Sequence, residues 1–346
     1  MPEYPPKHTA MICNITRSTT QSLLHAMHLY KDRMQIPRTS LAIYNGINAA
    51  FPEECDSQPS TLRLLDAFAP VLIAGNEAAD IGISARLNRG NKQSNFSSLL
   101  TLENMTKQVL QSKADAFTSE YPQHAAVAHN FTADLMILSS NRAQFSDKFD
   151  VFLEVDSAIF EAACIQLCAP SVLRHAGVDF AQPVATPEQL IKKYMPFLSM
   201  EPHVEDLPIV NRLKSLHAIE MLLKIDDDTR GVEPDTLLGL PSFVTWATTR
   251  AHETNRSVDD LLNEKKESYF DILRSSPYMS VPMVNIIRGL CELTSIHKAQ
   301  RTGVDNHIPL PRLPYFHRFT TTLRHELYST GILHDLFMPE VATASS

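Results

Sequence analysis

VNRLKSLHAIEMLLKIDDDTRG, residues 210–231, reads as one long amphipathic helix. Its apolar side chains recur every three to four positions, and Gly231 closes it with a residue suited to the left-handed turn that ends helices. The last turn carries Asp226, Asp227 and Asp228 in a row. Carboxylates at a helix C-terminus oppose the helix dipole. Three together therefore mark either a solvated turn or a place where a cation compensates them.

The same helical period extends in both directions. Upstream, TPEQLIKKYMPF (186–197) opens with Thr186 as cap, Pro187 in the first turn and Glu188 behind it, a helix-start signature. KFDVFLEVDSAIFEAACIQLC (148–168) is a strongly apolar helix stopped by Pro170. Earlier runs predict helices over 17–34, over 59–87 with a break or bend at Pro70, over roughly 98–119 and within 123–141. Downstream, a helix starts from the cap Ser257, and two or three more follow to about residue 338. Helices with short connections and no alternating strand pattern predict an all-α fold. We expect a single-domain α-helical bundle over 17–346, preceded by an N-terminal arm over 1–16.

Composition narrows the function classes. The chain has 346 residues with 44% hydrophobic and 20% charged side chains, which is globular rather than disordered. Only 10 glycines stand against 22 prolines. That ratio, with no GxGxxG and no GxxxxGK, excludes the usual phosphate-cradling nucleotide loops. A net charge of −8 argues against a nucleic-acid partner held by bulk electrostatics. The five cysteines form no CxxC pair, so neither a zinc site nor a disulfide framework is indicated; Cys164 and Cys168 read as buried thiols. No apolar run approaches the roughly 18 residues of a membrane span, and the start lacks a signal-peptide pattern. The expectation is a cytoplasmic protein with no membrane span, and a homodimer stays open.

DDLLNEKKES (259–268) is the most chemically suggestive stretch. Asp259, Asn263 and Glu267 stand at i, i+4 and i+8 and spread over about 80° of a helix, enough for one ion. Leu262 and Lys266 share that side, whereas Leu261 and Lys265 point another way. Acid and lysine at such spacing also make an ordinary solvated face. A third acidic stretch, Asn76-Glu77-x-x-Asp80, follows the apolar run before it. His217 with Glu220, His252 with Glu253 and His325 with Glu326 lack the repeated Glu-x-x-His of a di-iron bundle, so they read as core or surface histidines. No GxSxG elbow or HExxH zinc signature occurs.

Two acidic helix segments beside lysines, on an apolar helical frame, suit an enzyme that ionises a prenyl diphosphate. Such chemistry wants Mg²⁺ bridging carboxylates to phosphate oxygens, cationic side chains, and an apolar pocket that shields a carbocation. DDLLNEKKE is similar to the (N/D)Dxx(S/T/N)xxxE metal motif of class I terpene synthases, and no DDxxD occurs. The chain resembles the atypical fungal humulene synthases of tropolone-sesquiterpenoid biosynthesis, class I cyclases without the aspartate-rich motif. The resemblance implies a class I terpene synthase fold, farnesyl diphosphate as substrate, Mg²⁺ as cofactor and a humulene-type hydrocarbon as product. It also implies a diphosphate-binding lysine four residues after an aliphatic residue: Leu261 with Lys265, or Leu262 with Lys266. Lys192 or Lys193 would take the diphosphate-sensing place, and Arg301, followed by Thr302 rather than Tyr, the C-terminal arginine. Metal ligands would come from Asp226, Asp227 and Asp228 or from Asp259, Asn263 and Glu267. The alternative is a non-enzymatic helical interaction protein with solubilising acidic faces.

Overall fold

The computed structural model describes residues 36–87, 96–141, 149–198, 208–230 and 242–277, with Met279, Val284 and Arg288 beyond them. These residues are mostly helical, with no strand among them. In order they form α1 (Ile36–Ala50), α2 (Gln58–Leu87), α3 (Phe96–Glu120), a 3₁₀ turn (Pro122–His124), α4 (Ala125–Ser140) and α5 (Phe149–Cys168). Then come α6 (Pro170–His175), α7 (Pro187–Tyr194), α8 (Pro208–Arg230), α9 (Phe243–Thr254) and α10 (Val258–Ser275). The all-α expectation holds. The helix expected over 17–34 and those after residue 288 lie outside the described residues.

The local start signals act as their chemistry requires. Thr186 accepts the Gln189 amide at 3.3 Å ahead of α7, and Ser257 accepts the Asp260 amide at 3.0 Å ahead of α10. Each satisfies a donor that has no partner inside its own helix. α2 runs unbroken through Pro70, where the sequence predicts a break or bend. Tertiary packing on α1, α3, α4 and α5 outweighs the hydrogen bond that the proline removes. Pro170 stops α5 but begins α6 at once, since proline suits a first helical turn. Two helices carry weaker sequence signals. α1 carries in its interior an Asn45-Gly46 pair, which reads as a breaker, whereas its Pro37 sits in the first turn, where proline fits. α9 is rich in threonine, and only its Ser242 cap, accepting the Thr245 amide at 3.1 Å, announces it.

α5 is the axis of the bundle and packs against α1, α2, α4, α6, α7, α8 and α9. Its side chains are buried nearly all round: Phe152, Leu153, Val155, Ile159, Ala162, Ile165 and Leu167 are all in the core. That is why its sequence is apolar on every face rather than on one stripe. Fully burying each such aliphatic side chain is worth about 1.5–3 kcal/mol. On one flank an aromatic cluster ties α2, α3, α4 and α5 together, with Phe68, Phe117, Phe131 and Phe160 meeting edge to face. No helix among the described residues is long and apolar enough to cross a membrane.

Gly75 of α2 lets α4 approach closely. A β-carbon placed there would stand 2.7 Å from the Phe131 ring, and that ring is itself fixed between Phe68 and Phe160. Gly75→Ala should therefore destabilise the fold by about 1–3 kcal/mol through overpacking, despite alanine's better helix propensity. Urea unfolding checks this; an alanine variant as stable as the parent would refute the close approach.

Candidate functional site

A seam of ionisable groups runs through the interior where α5, α8 and α10 meet. On α5, Asp150, Glu154 and Glu161 lie within about 40° of one another around the helix, a carboxylate stripe on a largely apolar segment. Glu154 is only 1% exposed. A buried carboxylate needs a partner, and α10 supplies it. The Lys265 ammonium donates to Glu154 Oε1 at 2.9 Å and to Asp150 Oδ2 at 3.2 Å. The Tyr269 hydroxyl donates to the same Glu154 oxygen at 2.8 Å, and its ring lies 5.3 Å from the lysine nitrogen. Burial by itself would lower the proton affinity of Lys265, but Glu154 and Asp150 more than offset it, so the group stays above its ordinary value and charged. Two of its three N–H donors are spent on these carboxylates.

The pairings between α5 and α8 set a register. His217 Nδ1 meets Glu161 Oε1 at 2.8 Å, and Lys224 donates to Asp156 Oδ2 at 2.9 Å, so the helices run antiparallel. Four residues past Lys224, Asp228 comes level with about residue 152 of α5, between Asp150 and Glu154. The acidic end of α8 and the ammonium of Lys265 therefore share one end of the bundle. Asp228 Oδ2 accepts the backbone N–H of Phe243 at 2.6 Å, binding the end of α8 to the start of α9. Asp226 and Asp227 belong to the last turns of α8, and their side chains lie outside the described residues.

The remaining expected site residues fall as follows. Leu261, Leu262 and Lys266 are all buried. Both sides of the DDLLNEKKES helix thus face protein, where the sequence suggests that only one leucine–lysine pair would turn inward. The reason is that α10 is covered by α8 on one side and α9 on another. Asp259 and Asn263 are exposed. Glu267 is exposed too and accepts from Arg288 at 2.6 and 3.0 Å and from Arg274 at 3.3 Å; Arg288 above all holds its carboxyl below the usual glutamate value. Lys192 is exposed, whereas Lys193 is buried and spends all three donors on Asp134 Oδ2 at 2.8 Å and the carbonyls of Phe180 and Gln182 at 3.0 Å each. Asn76 is exposed and Glu77 half-buried; the Asp80 side chain, Arg301 and His325 lie outside the described residues. Cys164 and Cys168 are buried, and burial pushes the Cys164 thiol up to about 12.

Mg²⁺ asks for several oxygen ligands in octahedral order. Asp259, Asn263 and Glu267 do not fit it, since two guanidinium groups hold Glu267 and its helical neighbours face solvent. At the α5–α8–α10 end, the Lys265 ammonium already stands between the carboxylates of Asp150 and Glu154. Among the described residues no three acidic, histidine or cysteine side chains converge as a metal site.

Asp150, Glu154, Glu161 and Tyr269 were not expected from the sequence. Their signal lies in α5, where three of the four acids share one face of a largely apolar helix. His217, read from the sequence as a core or surface histidine, is in the core, and its Nδ1 meets Glu161.

No protein-family model, curated protein or solved structure significantly matches the chain.

Lys193 has a role independent of any ligand, because it anchors α7 to α4 through Asp134. Burial pushes the Asp134 carboxyl above its ordinary value in spite of that lysine. Lys193→Met should cost about 3–5 kcal/mol at neutral pH, by stranding a buried charge. The loss should shrink as pH falls and Asp134 takes up a proton. Urea unfolding across pH measures it; a loss independent of pH would contradict the assignment.

Proposed function

We propose that the chain is a class I type sesquiterpene cyclase, which ionises farnesyl diphosphate and closes it to a humulene-type hydrocarbon. One observation supports this reading over a solubilising helix face: Lys266 is buried with Leu261 and Leu262, and Lys265 is half-buried against the carboxylates of Glu154 and Asp150, instead of both lying on a solvated surface. A scaffold protein has little reason to withdraw two ammonium groups from water at the acidic end of a bundle, one of them buried and one half-buried, since buried charge is costly. A diphosphate-binding site has that reason.

In this scheme the diphosphate lies at the α8–α10 end, where the third N–H donor of Lys265 meets a phosphate oxygen. The C–O bond breaks with both electrons leaving on diphosphate, and Lys265 neutralises the charge that develops there. Fixed positive charge aimed at a developing anion is the strongest electrostatic form of catalysis. The aliphatic side chains of Leu261 and Leu262 limit the conformations of the allylic cation, and its ring closure draws on enforced geometry. The described residues form no Mg²⁺ site, so no step is assigned to a resident ion. The cation that the resemblance implies belongs here as the counter-ion carried by the diphosphate.

Incubation of the full chain with farnesyl diphosphate and Mg²⁺ should release diphosphate and a cyclic C15 hydrocarbon, and chelator should stop both. Lys265→Ala should lower turnover by about 100-fold or more. Gas chromatography with mass detection and a diphosphate assay read the outcome. No diphosphate release by the parent chain would sink the cyclase reading in favour of an interaction protein.

A further inference from the structure

A second polar group lies deeper in the same seam and is used by nothing described so far. His217 of α8 is 1% exposed. Its Nδ1 is 2.8 Å from Glu161 Oε1, while its Nε2 and the other carboxylate oxygen, Glu161 Oε2, are buried with no hydrogen-bond partner. Buried polar atoms are rarely left this way unless a ligand, a water or a reaction uses them. The arrangement also fixes the tautomer. A carboxylate beside Nδ1 holds the proton there, so neutral His217 presents a bare lone pair at Nε2, the histidine–carboxylate geometry of a general base. The Phe197 ring lies edge-on to it at 6.2 Å, and the buried Cys164 stands one turn from Glu161.

The depth suits the final step of the proposed reaction. Glu161 lies seven residues beyond Glu154 on α5, about 10 Å along the helix. A sesquiterpenyl chain whose diphosphate end sits at Lys265 reaches that far. We propose that His217 is the proton acceptor that ends the cyclisation and that Glu161 is its positioning residue; this rests on the cyclase reading above. In the step, a C–H bond next to the cationic carbon breaks, its electron pair becomes the new C=C bond, and the proton passes to Nε2. The resulting imidazolium is stabilised by the Glu161 carboxylate and leaves its proton to diphosphate or solvent when product departs.

The groups facing His217 agree with that role. Burial alone would make it a weaker base, but Glu161 first, then Glu154 from α5 and Glu220 from its own helix, raise its proton affinity above the ordinary histidine value of 6.5. On α10, Lys265 and Tyr269 are turned to Glu154. Activity that needs neutral His217 should fall as pH drops through this raised value.

The test uses the full chain with farnesyl diphosphate and Mg²⁺, reading diphosphate release and the product spectrum separately. His217→Gln should shift products from cyclic hydrocarbon to water-quenched alcohols by about 100-fold or more, within the range that general bases contribute. Glu161→Gln should move the acid limb of the pH profile to lower pH, because the carboxylate that raises the histidine is gone. A parent chain that releases diphosphate while His217→Gln keeps the parental product ratio overturns the base assignment and leaves the cyclase standing. A parent chain that releases none overturns both. Should His217→Gln fail to fold, ¹⁵N chemical shifts of His217 in the parent decide. Nε2 without a proton in the neutral form supports the proposal, and a protonated Nε2 overturns it.

Discussion

Burying Glu154 is the constraint on which the arrangement turns. α5 is the axis of the bundle, so any acid on its inner faces must find a cation or a donor inside the protein. Lys265 and Tyr269 of α10 provide both, at 2.9 and 2.8 Å from one carboxylate oxygen. This requirement turns the Lys265 and Tyr269 face of α10 toward α5. It also places an ammonium group at the level where α8 ends in three aspartates. Buried ion pairs seldom add net stability over well-packed apolar residues of similar volume. The charges therefore call for a functional reason, and the grip on a leaving diphosphate is the one proposed.

The two poles of the seam divide the labour in that proposal. At one pole the positive charge of Lys265 draws off the leaving group. At the other, seven residues along α5, the His217–Glu161 pair waits with an unpartnered nitrogen. Lys193 stands apart from this seam. Its three donors are all consumed by Asp134 and two backbone carbonyls, and its work is to anchor α7 to α4.

Much of the fold was legible before the structure because helical spacing and start signals act locally. Thr186 and Ser257 cap the helices they announce, and α8 and α5 span almost the stretches that their periodicity outlines. What escaped was decided by tertiary packing. Pro70 sits inside α2 without breaking it, and α1 forms in spite of Asn45-Gly46, because neighbouring helices bury their faces. The site was legible only in part, for a related reason. The DDLLNEKKES spacing points to Asp259, Asn263 and Glu267, yet exposure and two arginines take these away from the seam. The acids that do face Lys265 come from α5, more than a hundred positions earlier. Spacing within one helix shows which residues share a face; it does not show which neighbour that face meets.

The most direct measurement is the thermal stability of the full chain with inorganic diphosphate and Mg²⁺, in the parent and in Lys265→Ala. Ligand that binds only the folded state raises the melting temperature. The account predicts a concentration-dependent rise in the parent that is absent from the folded Lys265→Ala variant. No rise in the parent, or an equal rise in both, would contradict it.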